Sequence, residues 1–133
     1  MKDGRGGPWS PQVNIYERKD ALIIKLELAG LTSTDVEINR CDDLLTVEGS
    51  RLDADAQKRD LEVGGNIPFG SFLWTYFIPS GYDSSNASAF YQNGFLRITI
   101  PRQGGGHFAE AAHAQTAVPG IATTETVLVT VEA

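Results

Sequence analysis

Ala89-Phe90-Tyr91-Gln92-Asn93-Gly94-Phe95-Leu96-Arg97-Ile98-Thr99-Ile100-Pro101 reads as a tight turn feeding a strand. Asn93 and Gly94 both tolerate positive φ, which is what a short β-turn demands. Beyond the turn, Leu96, Ile98 and Ile100 alternate with Arg97 and Thr99, the period of a strand with one buried face. Pro101 cannot donate to a ladder and ends the run.

The same alternation recurs on the N-terminal side. Gln12 to Glu17 is short and strand-like, with Val13 and Ile15 on one face. Asp20 to Leu28 is the clearest strand: Leu22, Ile24, Leu26 and Leu28 point one way, and Ile23, Lys25 and Glu27 the other. Burying four such aliphatic side chains is worth roughly 6–12 kcal/mol gross, before ordering entropy is subtracted. Thr32 to Asp35 carries capping residues, but no helical period follows; Val36 and Ile38 instead alternate with Glu37 and Asn39. Asp42-Asp43 is a turn, and Leu44 to Gly49 is the next strand, with Leu45 and Val47 opposed to Thr46 and Glu48. In the strand from Phe69 to Pro79, Phe72, Trp74, Tyr76 and Ile78 share one face, with Leu73, Thr75 and Phe77 on the other. Short strands at regular spacing, with no convincing helix between them, predict an all-β antiparallel sandwich.

Two segments do not fit this pattern. Leu52 to Pro68 is long, charged in its first half and apolar in its second, and such a loop inside a domain is usually functional. From Arg102 the composition turns to Gly, Ala and Thr, starting with the flexible linker Gly104-Gly105-Gly106. Glu125 to Val131 then restores strand alternation. The chain is thus expected to divide into a short arm (1–11), a sandwich (12–101) and a C-terminal extension with a strand-like tip (102–133).

Composition narrows the function classes. With 133 residues, 41% of them hydrophobic, the chain is long enough for a core without disulfide or metal. A net charge of −6 opposes nucleic acid as a main partner. Met1 to Pro8 is polar and glycine-rich, with no signal-peptide core expected, and the apolar run from Ala21 is broken by Lys25 and Glu27, so no membrane partner is expected. Cys41 is the single cysteine, which fits a reducing, cytoplasmic location. No phosphate-cradling loop with its lysine is present. His107 and His113 lack the further ligands of a zinc site, and the Asp pairs at 42–43 and 53/55 lack a calcium-loop pattern. Cys41 has no base beside it and is followed by two carboxylates, a poor setting for a nucleophile. Neither cofactor, metal nor catalytic constellation is expected, so the protein is read as no enzyme.

Several ordered motifs resemble the small heat-shock protein family, bacterial type, which is built on the α-crystallin domain. The opening stretch, with Ala89, Asn93-Gly94, the alternation and Ile100-Pro101-Arg102, is similar to that domain's last strand. Trp9 to Glu17 resembles its entry. Glu27-Leu28-Ala29-Gly30-Leu31 resembles an acidic-Leu-Pro-Gly-apolar signature, with alanine where proline is usual. Leu44 to Arg51 resembles Leu-Thr-Ile-Glu/Ser-Gly-Glu-Arg, and Phe69-Gly70-Ser71-Phe72 resembles Tyr-Gly-Ser-Phe. Trp74 and Phe77 depart from it, standing where arginine is usual; an aromatic ring cannot reproduce arginine's fork of donors.

The resemblance implies an immunoglobulin-like β-sandwich, a dimer as building block, assembly to larger homo-oligomers, and an ATP-independent chaperone of the stress response. Such a holdase binds partly unfolded client proteins and prevents their aggregation. It also implies that Val127, Val129 and Val131 form an assembly tip that fills a groove of a neighbouring dimer; the alternative is that Glu125 to Val131 adds an edge strand to its own domain. The candidate groove walls are Val36 and Ile38 on one side and Ala87, Ala89 and Tyr91 on the other. Leu61 and Val63 are the candidates for a loop strand exchanged with the partner subunit. Trp9, Ile67 and Phe69 are the candidates for client contact, because the arm offers little else that is apolar. Two rivals are a co-chaperone-like sandwich of related fold that binds a folded partner, and an enzyme or small-ligand β-sandwich, for which the sequence supplies no convergent polar constellation.

Overall fold

The computed structural model describes residues 7–104, 117–118, 124–127 and 129–131. Among the described residues ten strands run in chain order: β1 (Val13–Glu17), β2 (Ala21–Glu27), β3 (Val36–Cys41), β4 (Leu44–Arg51), β5 (Gly70–Phe77), β6 (Ser88–Gln92), β7 (Phe95–Pro101), β8 (Ala117–Val118), β9 (Thr124–Val127) and β10 (Val129–Val131). They form two five-stranded sheets, ordered β1-β2-β7-β6-β10 and β5-β4-β3-β9-β8. The pairings are antiparallel apart from β10 on β6, and the sheets make the expected sandwich.

Alternation decides what lies between the sheets. Leu22, Ile24 and Leu26 of β2 stand in register with Ile100, Ile98 and Leu96 of β7. They meet Ile38, Leu45, Val47 and Phe72 from the opposite sheet in a single buried cluster. Trp74 and Tyr76 pack at its margin, with their rings stacked. Leu73 and Phe77 face outward and are exposed. Ile23 lies on the outer face of β2, as the alternation places it, between Tyr16 and Thr99, yet is only 2% exposed.

The turns explain the sharp sequence signals. Asn93 and Gly94 adopt φ of 55° and 84°, the paired positive values of a hairpin turn. That turn packs on Ala29: the Leu28 N–H donates to the Gly94 carbonyl at 2.8 Å, and a Cβ on Gly94 would lie 3.3 Å from that of Ala29. The missing proline at position 29 is offset by side chains. The Glu27 carboxylate accepts from the Ala29 N–H at 3.2 Å. The Tyr91 hydroxyl donates to the Leu28 carbonyl at 2.7 Å and accepts from the Leu31 N–H at 3.3 Å. The residues after β2 form only a one-turn 3₁₀ segment, Ser33–Asp35, because β3 takes over at Val36. Gly49 lets that turn sit against β4, where a Cβ would lie 2.0 Å from the Asp35 carbonyl oxygen.

Candidate protein-interaction site

Three places carry the candidate residues: the arm, the long loop, and the side of the sandwich between β3 and β6. Arg51, the last residue of β4, joins the first two. Its Nε and Nη2 donate to the Pro68 carbonyl at 3.2 and 2.7 Å, and Nη1 donates to the Ala29 carbonyl at 3.2 Å. The guanidinium lies 4.6 Å from the Trp9 ring centre and 5.3 Å from that of Phe69. Arg51 is 7% exposed; carbonyl oxygens and ring faces replace the water it gives up. It thereby closes the base of the loop and holds both rings.

Trp9 is also held by backbone. Its N–H donates to the Ser71 carbonyl at 3.1 Å, and the Leu73 N–H donates to its carbonyl at 2.9 Å, a parallel bridge opposite Phe72. The loop itself is tied by Arg59 to Asp53 and Glu62. Leu61 and Val63 belong to no strand in the single chain and are 78% and 91% exposed. Ile67 is 68% exposed and Phe69 40%. Arm and loop border an open cleft of about 1540 Å³ that reaches Trp9, Leu61, Val63, Ile67 and Phe69.

On the other side, the tail strands run along both candidate groove walls of their own chain. β9 pairs with β3, setting Val127 opposite Ile38, and β10 pairs with β6, setting Val129 opposite Ala89 and Val131 opposite Tyr91. Ile38, Ala87, Ala89 and Tyr91 belong to the buried cluster, with Val36 packed at its edge. The root of the tail is fixed by Arg102. Its guanidinium donates to the Lys19 and Arg18 carbonyls and covers the Tyr82 ring, whose hydroxyl donates to Glu17. At the entry to β6, Asp83 accepts from the Ser85 hydroxyl and the Asn86 amide, each at 2.6 Å. These bonds, the Ser85 one first, hold its carboxyl below the usual range against a smaller opposing effect of burial.

Among the described residues no group of three or more His, Cys, Asp or Glu side chains is placed to hold a metal ion. His107 and His113 lie outside the described residues. Cys41 is exposed. No helix among the described residues is long and apolar enough to cross a membrane. Arg51 is the residue at this site that sequence reasoning missed. Its signal was a cation at a strand end between an aromatic arm and an aromatic loop exit.

The described residues form a mostly antiparallel sandwich with open strand edges and exposed apolar side chains on its long loop. The chain belongs to the Hsp20/alpha crystallin family, whose model matches residues 14–115. It is similar to heat shock protein 16 of Schizosaccharomyces pombe, 30% identical over 101 residues covering 72% of this chain and 68% of that one. It is also similar to spore protein SP21 of Stigmatella aurantiaca, 31% identical over 101 residues, 74% of this chain but 60% of that one. Among solved structures it resembles heat shock protein 16.0 from Schizosaccharomyces pombe, with TM-score 0.67, 26% identity and coverage of 81% and 80%. A small heat-shock protein from Xylella fastidiosa matches with TM-score 0.66, 23% identity and coverage of 75% and 92%. These matches do not favour the co-chaperone-like alternative.

Proposed function

We propose that the protein is an ATP-independent holdase that binds partly unfolded proteins and keeps them from aggregating. The observation that carries this reading is the apolar loop exit. Ile67 and Phe69 stay exposed beside a finished core, a surface suited to non-native chains. Ile67 and Phe69, with Trp9 beside them, are its client contacts. Holding needs no nucleotide, because binding the non-native chain by mass action already withdraws it from aggregation.

The protein works as a cytoplasmic homo-oligomer built from dimers. Leu61 and Val63 form the strand exchanged with the partner subunit; their exposure in the single chain supports this. Val127, Val129 and Val131 dock in a neighbouring dimer's groove, repeating between copies the β9–β3 and β10–β6 pairings that the described residues make within one chain; the rival is that these strands serve only their own sheets. Burying two valines gives roughly 3–6 kcal/mol gross, so each contact is reversible and only multivalency holds a larger particle.

The test is light scattering from a thermally unfolding client. Suppression at near-stoichiometric ratio, unchanged by ATP, is expected. Undiminished scattering at several-fold excess refutes the reading.

A further inference from the structure

Trp9 sits on β5 the way a ligand residue sits in a receptor. Among the described residues β5 is the terminal strand of its sheet, so its outer backbone groups face no further strand. Trp9 takes up two of these groups, the Ser71 carbonyl and the Leu73 N–H. Its indole N–H adds a bond to the Gly70 carbonyl at 3.1 Å. The ring lies 5.2 Å from Phe72, tilted by 51°, beneath the Arg51 guanidinium. The bridge is one residue long, and Ser10 beyond it is exposed.

We infer that the Gly70–Leu73 edge, with Arg51 and Phe72, is a slot for one aromatic residue of an extended client segment running parallel to β5, and that Trp9 is its resident occupant. The inference rests on the holdase reading and names the site and the feature recognised. The two backbone bonds are blind to sequence, which suits a chaperone of many clients. The ring site supplies selectivity. Arg51 directs its hydrogen bonds to the Pro68 and Ala29 carbonyls, which leaves the face of its guanidinium free for an aromatic ring. Non-native chains expose the aromatic residues that native ones bury. Exchanging Trp9 for a client aromatic replaces like with like, so the tethered arm holds the slot mainly through its high local concentration. A client wins by length. Its residues after the aromatic continue along the edge past Leu73, where Trp9 stops, and those before it run toward the exposed Phe69 and Ile67.

The chain holds two tryptophans, so Trp74→Phe leaves Trp9 as its single indole reporter. This full-length variant is titrated with an unstructured, tryptophan-free peptide carrying one phenylalanine in a Ser/Thr background, and with its alanine twin. The phenylalanine peptide is expected to red-shift Trp9 emission and at least double its quenching by acrylamide; the alanine twin is expected to do neither. Trp9→Ala is expected to bind the labelled phenylalanine peptide about tenfold more tightly than the wild type, if the resident fills the slot nine-tenths of the time. Arg51→Lys is expected to erase the preference for phenylalanine over alanine. Saturable binding by anisotropy with unmoved Trp9 emission overturns the slot, as does no binding at millimolar peptide or weaker binding by Trp9→Ala. A chain that suppresses client scattering while Trp9 stays seated refutes the slot alone. Displacement of Trp9 without suppression keeps the slot and refutes the holdase.

Discussion

Replacing Tyr91 with phenylalanine removes one oxygen and leaves the shape of the core intact. The ring is 8% exposed and keeps its packing, so no cavity opens. What is lost is the hydroxyl that donates to the Leu28 carbonyl and accepts from the Leu31 N–H. Both partners belong to buried residues, Leu28 at 0% and Leu31 at 8% exposure. An unpaired buried polar group costs about 1–3 kcal/mol; with the 2.7 Å bond near the middle of that range and the 3.3 Å bond at its foot, the variant is expected to lose about 2–3 kcal/mol. Urea unfolding at matched protomer concentration reads this as a midpoint lowered by roughly 1–2 M with unchanged slope. Hydrogen exchange at the Leu31 amide should accelerate more than exchange in β7. Tyr16→Phe, at a side chain 45% exposed, is the control and should stay within about 0.5 kcal/mol of the wild type. If Tyr91→Phe matches that control, the hydroxyl does not hold the turn and the account of the missing proline is wrong.

Gly49→Ala forces a methyl to within 2.0 Å of the Asp35 carbonyl oxygen and 2.7 Å of the Phe72 ring, and should cost more than about 3 kcal/mol. A melting temperature within a few degrees of the wild type would show that the 3₁₀ turn yields freely. Asp83→Asn tests the cap at β6. Because the folded carboxyl titrates below its unfolded value near 3.9, its contribution is complete above about pH 4 and is lost as pH falls through the depressed folded value. The wild type should therefore melt higher than the variant at pH 7, with the gap closing below about pH 4; a gap that persists at pH 2 defeats the assignment. Val127→Gly with Val129→Gly should reduce particles to dimers at unchanged melting temperature. A lower melting temperature at unchanged mass would mean that β9 and β10 serve only their own sheets.

Strands with one wet face were legible because alternation is a local signal. In β2, β4, β5 and β7 every residue assigned inward lies in the core or packs at its margin. Ile23 shows the limit: period-two reading assigns a face but not whether that face is covered. Tyr91 was legible as a member of β6, while its hydroxyl's reach to Leu28 and Leu31 depends on a turn sixty positions away in the chain. Arg51 was illegible for the same reason. A cation reads as solvated until Trp9, Ala29 and Pro68 are known to converge on it. Leu61 and Val63 show the reverse case, since apolar content alone makes no strand without an edge to join. The tail's alternation was readable, but that it lies along β3 and β6 of its own chain was not.

The register of β2 against β7 fixes an order of assembly. The β1–β2, β3–β4 and β6–β7 hairpins join near neighbours in the chain, and such hairpins form in microseconds. Ile24 meets Ile98, and Ile38 meets Val127, only after long loops have closed. Chains rich in such distant pairings fold in milliseconds to seconds. Through that interval Leu22, Ile24 and Leu26 have found neither β7 nor the opposite sheet, and they offer solvent a bare apolar stripe. Each newly made chain therefore passes through the condition it is proposed to recognise in others, and mature copies are on hand to hold it.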